Sequence, residues 1–168
     1  DIVAAVQAAA RLFEAAGAIV EPLPGFTTRE MADGINLFWR MRSWLDISAL
    51  PPARRAKVLP FIVEWARGGA GLSGEQVFRG YSQMGAMRDA AVALIQGFDI
   101  LLTPTSPITA YAADWASPTN DPARPFEHIA FTVPFSMSEQ PAASIACGRT
   151  VAGLPIGLQI VGHRHDDL

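Results

Sequence analysis

The sequence predicts an α/β fold, a mixed β-sheet flanked by helices, on three observations. Residues 1–97 carry apolar residues mainly at helical spacing, while residues 98–168 read as strands and loops. A short apolar strand at Asp99–Thr103 and a pair of strands near the end of the chain bracket the remaining segments. Half of the residues are hydrophobic and 17% are charged, which supports a packed core and excludes intrinsic disorder. A length of 168 residues fits a single domain or a single portion of one.

Each element follows from local chemistry. Asp1 is placed to cap a first helix with Ile2, Val6, Ala9, Phe13 and Ala16 along one face, and Gly17 to stop it. Ala18–Glu21 reads as a short strand closed by Pro22 and Pro24. Thr27-x-x-Glu30 reads as a capping box opening a second helix that runs to about Asp46. Pro51-Pro52 breaks the chain, and Pro52 suits the first turn of a third helix ending near Arg67. After the turn at Gly68–Gly74, a long fourth helix spans Glu75–Gln96, with Val77, Tyr81, Met84, Met87, Ala91 and Ile95 as its apolar stripe. The stretch Pro104–Pro125, rich in Pro, Thr, Ser, Ala and Asp, reads as a long surface loop. Ala142–Cys147 and Pro155–Val161 flank a Gly-containing turn and form a hairpin.

Composition narrows the function classes. Thirteen Lys and Arg against sixteen Asp and Glu give a net charge of −3, with no basic excess to neutralise nucleic-acid phosphates. No apolar run approaches the roughly 20 residues that cross a bilayer, so no membrane partner is expected. The N-terminus lacks the basic start of a secretory signal. The single cysteine, Cys147, rules out an internal disulfide framework and fits a reducing cytoplasm. A mean hydropathy of +0.21 is high for so small a chain, whose surface should be largely polar. It predicts apolar surface covered by an oligomer partner or by a missing part of the same fold.

The short motifs have plain structural readings. Gly69-Ala70-Gly71-Leu72-Ser73-Gly74 matches the dinucleotide pattern, but a helix precedes it where that pattern needs a strand. Ser73-x-x-Gln76 is a capping box that accounts for it as a helix-to-helix turn. His163 and His165 would share one face of a strand, but a metal site needs three or four ligands. Only His128 and, by chance of folding, Cys147 could join them, so the segment reads as a polar strand end and no metal or other cofactor is expected. No serine sits in a G-x-S-x-G elbow. The one lysine, Lys57, stands beside Arg54 and Arg55 on a helix surface, a poor candidate for the desolvated lysine that a Ser–Lys enzyme needs. The chain shows no catalytic residue of its own.

Three segments resemble the amidase signature family: Phe98–Pro107 (FDILLTPTSP), Phe131–Ile145 (FTVPFSMSEQPAASI) and Gly153–Gly162 (GLPIGLQIVG). The helix VAAVQAAARLFEAAGA before them is similar to the family's more loosely. The resemblance implies a mixed sheet layered with helices, and hydrolysis of carboxamides by a Ser–cis-Ser–Lys triad. The triad lies upstream of the part matched here, so no position of this chain inherits it. The chain is thus expected to be a single C-terminal portion, residues 1–168, of an amidase domain. On this view it supplies sheet strands and the substrate wall of a hydrolase, is inactive by itself, and meets a small-molecule amide in the intact enzyme. The alternative is a non-catalytic interaction or binding module derived from the fold.

By position in the family pattern, Thr132, Phe135, Ile129, Ser136 and Ser106 are the expected substrate-binding residues. Two departures stand out: Ser136 replaces the usual Asn and Glu139 the usual Gly. Ile129 gives the wall no carboxylate, which argues against an amino-acid amide such as glutamine.

Overall fold

The computed structural model of this chain describes residues 1–167. In chain order they form α1 (Ile2–Ala15), α2 (Arg29–Ser48), α3 (Pro52–Arg55), α4 (Pro60–Arg67), α5 (Gly74–Leu94), β1 (Leu101–Pro104), a single 3-10 turn (Glu127–Ile129), α6 (Val133–Ser138), β2 (Ala142–Arg149) and β3 (Pro155–Val161). Helices and a small sheet make up the expected α/β class. The chain divides into two compact units.

The first unit comprises Asp1–Phe26, Arg88–Tyr111 and the chain from His128 onward. Its sheet has the order β1-β3-β2, and both pairings are antiparallel. The hairpin read from the sequence is present, with Ser144 opposite Gln159 and Ala146 opposite Gly157. A register shift between Ala146 and Gly148 marks a bulge in β2. Central β3 is buried on both faces: Ile156 and Leu158 on one, Gln159 and Val161 on the other. Val161 packs with Ala91 and Phe135 in a core flanked by Phe26 and Leu101. Helix α1 lies against all three strands.

The second unit comprises Thr27–Met87 and Ala112–Glu127. Its core gathers Ile47, Trp65 and Ala66, with Trp39, Trp44 and Phe126 packed around them. Phe126 meets Trp39 and Trp65 edge to face, at ring-centroid distances of 5.0 and 5.4 Å. The Trp65 indole Nε1 donates to Asn36 Oδ1 at 2.9 Å, which satisfies its one polar atom.

Several local expectations hold. Gly17 takes φ +99° just past α1. The capping box at Ser73 is reciprocal: Gln76 N donates to Ser73 Oγ at 3.2 Å, and Ser73 N to Gln76 Oε1 at 2.9 Å.

Others are corrected. Thr28, not Thr27, caps α2, its Oγ1 accepting from Met31 N. Asp1 does not cap α1 with its side chain; its Oδ2 instead accepts from Val151 N, 3.0 Å away at the hairpin turn. Ala18–Glu21 forms no strand, because no ladder partner lies beside it. The third helix is two, since Pro60 cannot donate to a preceding turn and restarts the helix as α4. The stripe of α5 buries Met87 and Ala91 but leaves Tyr81 57% exposed against Phe38. The helix ends at Leu94, so buried Ile95 lies in the turn after it rather than in a helix reaching Gln96. The long loop is not wholly a surface element, because Ser117 is fully buried within it.

Candidate functional site

Gly157 organises the site. It lies in β3 between β2 and the residues that follow β1, and its carbonyl accepts from Thr105 N at 3.0 Å. With no side chain there, the Thr105 and Ser144 hydroxyls meet across the strand at 2.7 Å. A Cβ on Gly157 would stand 2.7 Å from Thr105 Oγ1 and 3.2 Å from Ser144 Oγ, so only glycine permits the bridge. The bridge lies in the lining of a cavity of about 530 Å³. Ile2, Ile145, Ile156, Tyr111 and His128 form the larger surfaces, and Ser106, Thr109 and Thr132 add hydroxyls.

Two buried amides hold the surrounding chain. Gln159 Nε2 donates to Thr103 Oγ1 and to Phe131 O, both at 2.9 Å, and so ties the segment before Thr132 to the sheet. Gln140 Nε2 donates to Gly162 O at 3.0 Å, while its Oε1 accepts from the fully buried Ser138 hydroxyl at 2.7 Å. Buried polar groups are costly unless paired: Gln140 is paired through both its oxygen and its nitrogen, and Gln159 through two bonds from its nitrogen.

The structure brings two of the five expected substrate-binding residues, Ser106 and Thr132, to the cavity. Ser106 Oγ also accepts from Ile108 N at 3.3 Å and shapes the turn after the TPTSP run. Thr132 Oγ1 donates to Ile129 O. The other three lie outside the lining. Phe135 is 3% exposed in the core against Phe26. Ser136 is exposed, its hydroxyl returned to Thr132 O. Ile129 is half-buried in the 3-10 turn and offers its carbonyl to Thr132.

Tyr111, His128, Thr105, Ser144 and Gly157 were not singled out for this site from the sequence. Thr105, Ser144 and Gly157 sit inside the motif segments, which was the available signal. His128 and Tyr111 had none, being separated by sixteen loop residues, Ala112–Glu127. Their rings meet edge to face at 5.7 Å. Burial holds the His128 imidazole below its ordinary pKa of 6.5. Its Nδ1 is sealed from solvent without a hydrogen-bond partner among the described residues.

A smaller hollow of about 320 Å³ in the second unit is lined by Arg40, Glu64, Trp65 and Asp121. Arg40 there is engaged by Asn36 Oδ1 at 3.2 Å, which leaves it a packing role. Among the described residues no three His, Cys, Asp or Glu side chains converge as a metal site, and no helix is long and apolar enough to cross a membrane. His163 pairs with Phe98 O at 2.7 Å, and His165 stands exposed at φ +68°.

A helix-flanked sheet whose turns and strand centres carry the TPTSP and GLPIGLQ runs is the layout of an amidase-type chain. The Amidase family model matches residues 1–168, and the chain belongs to that family. Over 75 residues it is 39% identical to the A subunit of glutamyl-tRNA(Gln) amidotransferase from Synechococcus sp. (strain CC9605), a stretch covering 45% of this chain and 15% of that protein. The corresponding protein of Gluconobacter oxydans (strain 621H) is 43% identical over 72 residues, or 43% of this chain and 14% of the relative. A crystal structure of an amidase superposes with a TM-score of 0.81 at 20% identity, over 99% of this chain and 38% of the other. A bacterial aryl acylamidase of the amidase signature enzymes gives 0.79 at 24% identity, over 99% and 37%. At these identities the structural likeness shows the fold, and the chain spans well under half of each such structure.

Proposed function

We propose that this chain forms the substrate-facing wall of a hydrolase that cleaves carboxamide C–N bonds, as a C-terminal portion without catalytic residues of its own. In that reaction water adds to the amide carbon, the C–N bond breaks, and a carboxylate and an amine or ammonia leave. The carrying observation is that the family motifs converge on one cavity: Thr105 and Ser106 from the first, Thr132 and Ser144 from the second, Gly157 from the third. A family match over the whole chain supports this reading over an interaction module.

The small-molecule amide is the expected partner. The open face of β2, where Ala142–Ala146 are all exposed, is the surface a missing half of the fold or an oligomer partner would cover. Ammonia release from simple carboxamides is the test. The native protein from its source should release ammonia, whereas the 168-residue chain alone should not. Turnover by the isolated chain that survived replacement of its serines would overturn the assignment.

A further inference from the structure

The bend between α2 and α4 carries a concentration of charge that neither the core nor the cavity uses. Between Asp46 and Glu64 the chain has Arg54, Arg55 and Lys57 and no carboxylate, in a protein of net charge −3. All three are exposed, and none joins an ion pair among the described residues. Elsewhere in the second unit Arg29, Arg79 and Arg124 each close on a carboxylate three or four residues away.

The bend presents this charge from a fixed backbone. Arg55 Nη2 donates to Ser48 O and Leu50 O, which satisfies carbonyls at the end of α2 and accounts for that one arginine. Pro51, Pro52 and Pro60 restrict the backbone, and Val58 packs on the core of Ile47, Trp65 and Ala66. No ion pair gives Arg54 or Lys57 a comparable role among the described residues. Two large aliphatic side chains flank the segment, Leu45 at 60% and Leu59 at 45% exposure.

Cations beside exposed leucines fit carboxylates carried on a partly apolar chain. Charge-assisted bonds to carboxylate are the stronger kind of polar contact, and a stiff bend has little entropy left to lose on binding. A nucleic acid fits less well, because the overall negative charge repels a polyanion. Phe61, the one aromatic between Asp46 and Glu64, is half-buried and offers bases no stacking platform. A lipid surface fits less well because α3 is a single turn, too short to lay an apolar face along a bilayer.

We infer that this bend docks an acidic segment of a partner protein, with carboxylates on Arg54 and Lys57 and an aliphatic side chain against Leu59. None of these residues lines the cavity, so the inference stands apart from the substrate-wall reading.

A fluorescein-labelled peptide of repeated Glu-Glu-Leu is the probe, titrated into the native protein and followed by anisotropy. Binding should weaken as salt rises from about 0.01 to 0.15 M, because the screening length falls from roughly 30 to 8 Å. Arg54→Glu with Lys57→Glu should weaken it about tenfold. Arg11→Glu, an exposed change in the first unit, should leave it unchanged. The double variant should bind a repeated Lys-Lys-Leu peptide about tenfold more tightly than the parent does, a gain that misfolding cannot give. In the parent, carbodiimide should couple the acidic peptide to Lys57, the one lysine of this chain, as read by mass spectrometry. No binding of the acidic peptide, coupling that bypasses Lys57, or an equal loss with Arg11→Glu would overturn the inference. So would tighter binding of polyuridylate or phosphatidylserine vesicles than of the peptide through Arg54 and Lys57.

Discussion

Glu139 and Arg164 form an ion pair between two turns of the first unit, and Glu139 makes it from the left-handed region, at φ 59°. This is where the family pattern usually has glycine. The residue ends α6 as its C-cap, a position that favours a residue without a Cβ. The Arg164 guanidinium, by hydrogen bond and by charge, holds the Glu139 carboxyl below its ordinary pKa. The contact thus offsets a backbone conformation that glutamate adopts reluctantly.

Glu139→Ala should lower the melting temperature, because it keeps the strained backbone and loses the pair. Glu139→Gly should match or exceed the parent protein. Since the folded-state pKa is lowered, the pair's contribution is present above the ordinary glutamate pKa and is lost as pH falls through the lowered value. The gap between parent and Glu139→Ala should therefore close in acid, as followed by thermal unfolding across pH.

Gly157→Ala should destabilise by about 1–3 kcal/mol in urea unfolding, because its Cβ would meet Thr105 Oγ1. It should also part the Thr105 and Ser144 hydroxyls. Equal stability would remove Gly157 from its organising place.

Gly69→Ala and Gly71→Ala make a matched test within one motif. A Cβ on Gly69 would lie 2.5 Å from the Arg40 carbonyl oxygen of α2, whereas at Gly71 nothing lies within 4 Å. The first should cost at least about 2 kcal/mol, since backbone cannot move aside, and the second less than about 0.5 kcal/mol. The glycines then serve helix packing, as the turn reading holds.

Gln159→Leu removes the amide that joins Thr103 to Phe131 and leaves the part-buried Phe131 carbonyl without that partner. A loss of about 2 kcal/mol is expected. Amide exchange in residues 131–133 should rise with it, because that segment is tied to β3 through this side chain.

His128 has the opposite sign to the common histidine case. Its folded pKa lies below 6.5, so the unfolded state binds more protons as the solution acidifies. Stability should fall as pH drops through about 6.5 and level off below the folded value. His128→Phe should flatten that part of the profile in denaturant titrations from pH 8 to 5.

Much of the fold was legible because its signals are local. The Ser73–Gln76 box, the Gly17 stop and the alternation of β3 depend on residues within a few positions of one another. The motif glycines were legible as pattern, though not as cause. The misplaced cap at Thr27 and the unbroken third helix came from neighbouring residues competing for one role, which only the surrounding packing decides. Ser106 and Thr132, expected from the motif runs, line the cavity, whereas Phe135 and Ser136 share a run with Thr132 yet turn elsewhere on the short helix α6.

By itself, then, the sequence determined the class of fold and the family. These follow from composition, periodicity and contiguous motifs. The tertiary structure decided that Gly157 lets Thr105 touch Ser144, that Gly69 admits the α2 backbone, and that Tyr111 meets His128. Each of these joins residues distant in the chain, and a linear pattern carries no distance between segments until burial of the core brings them together.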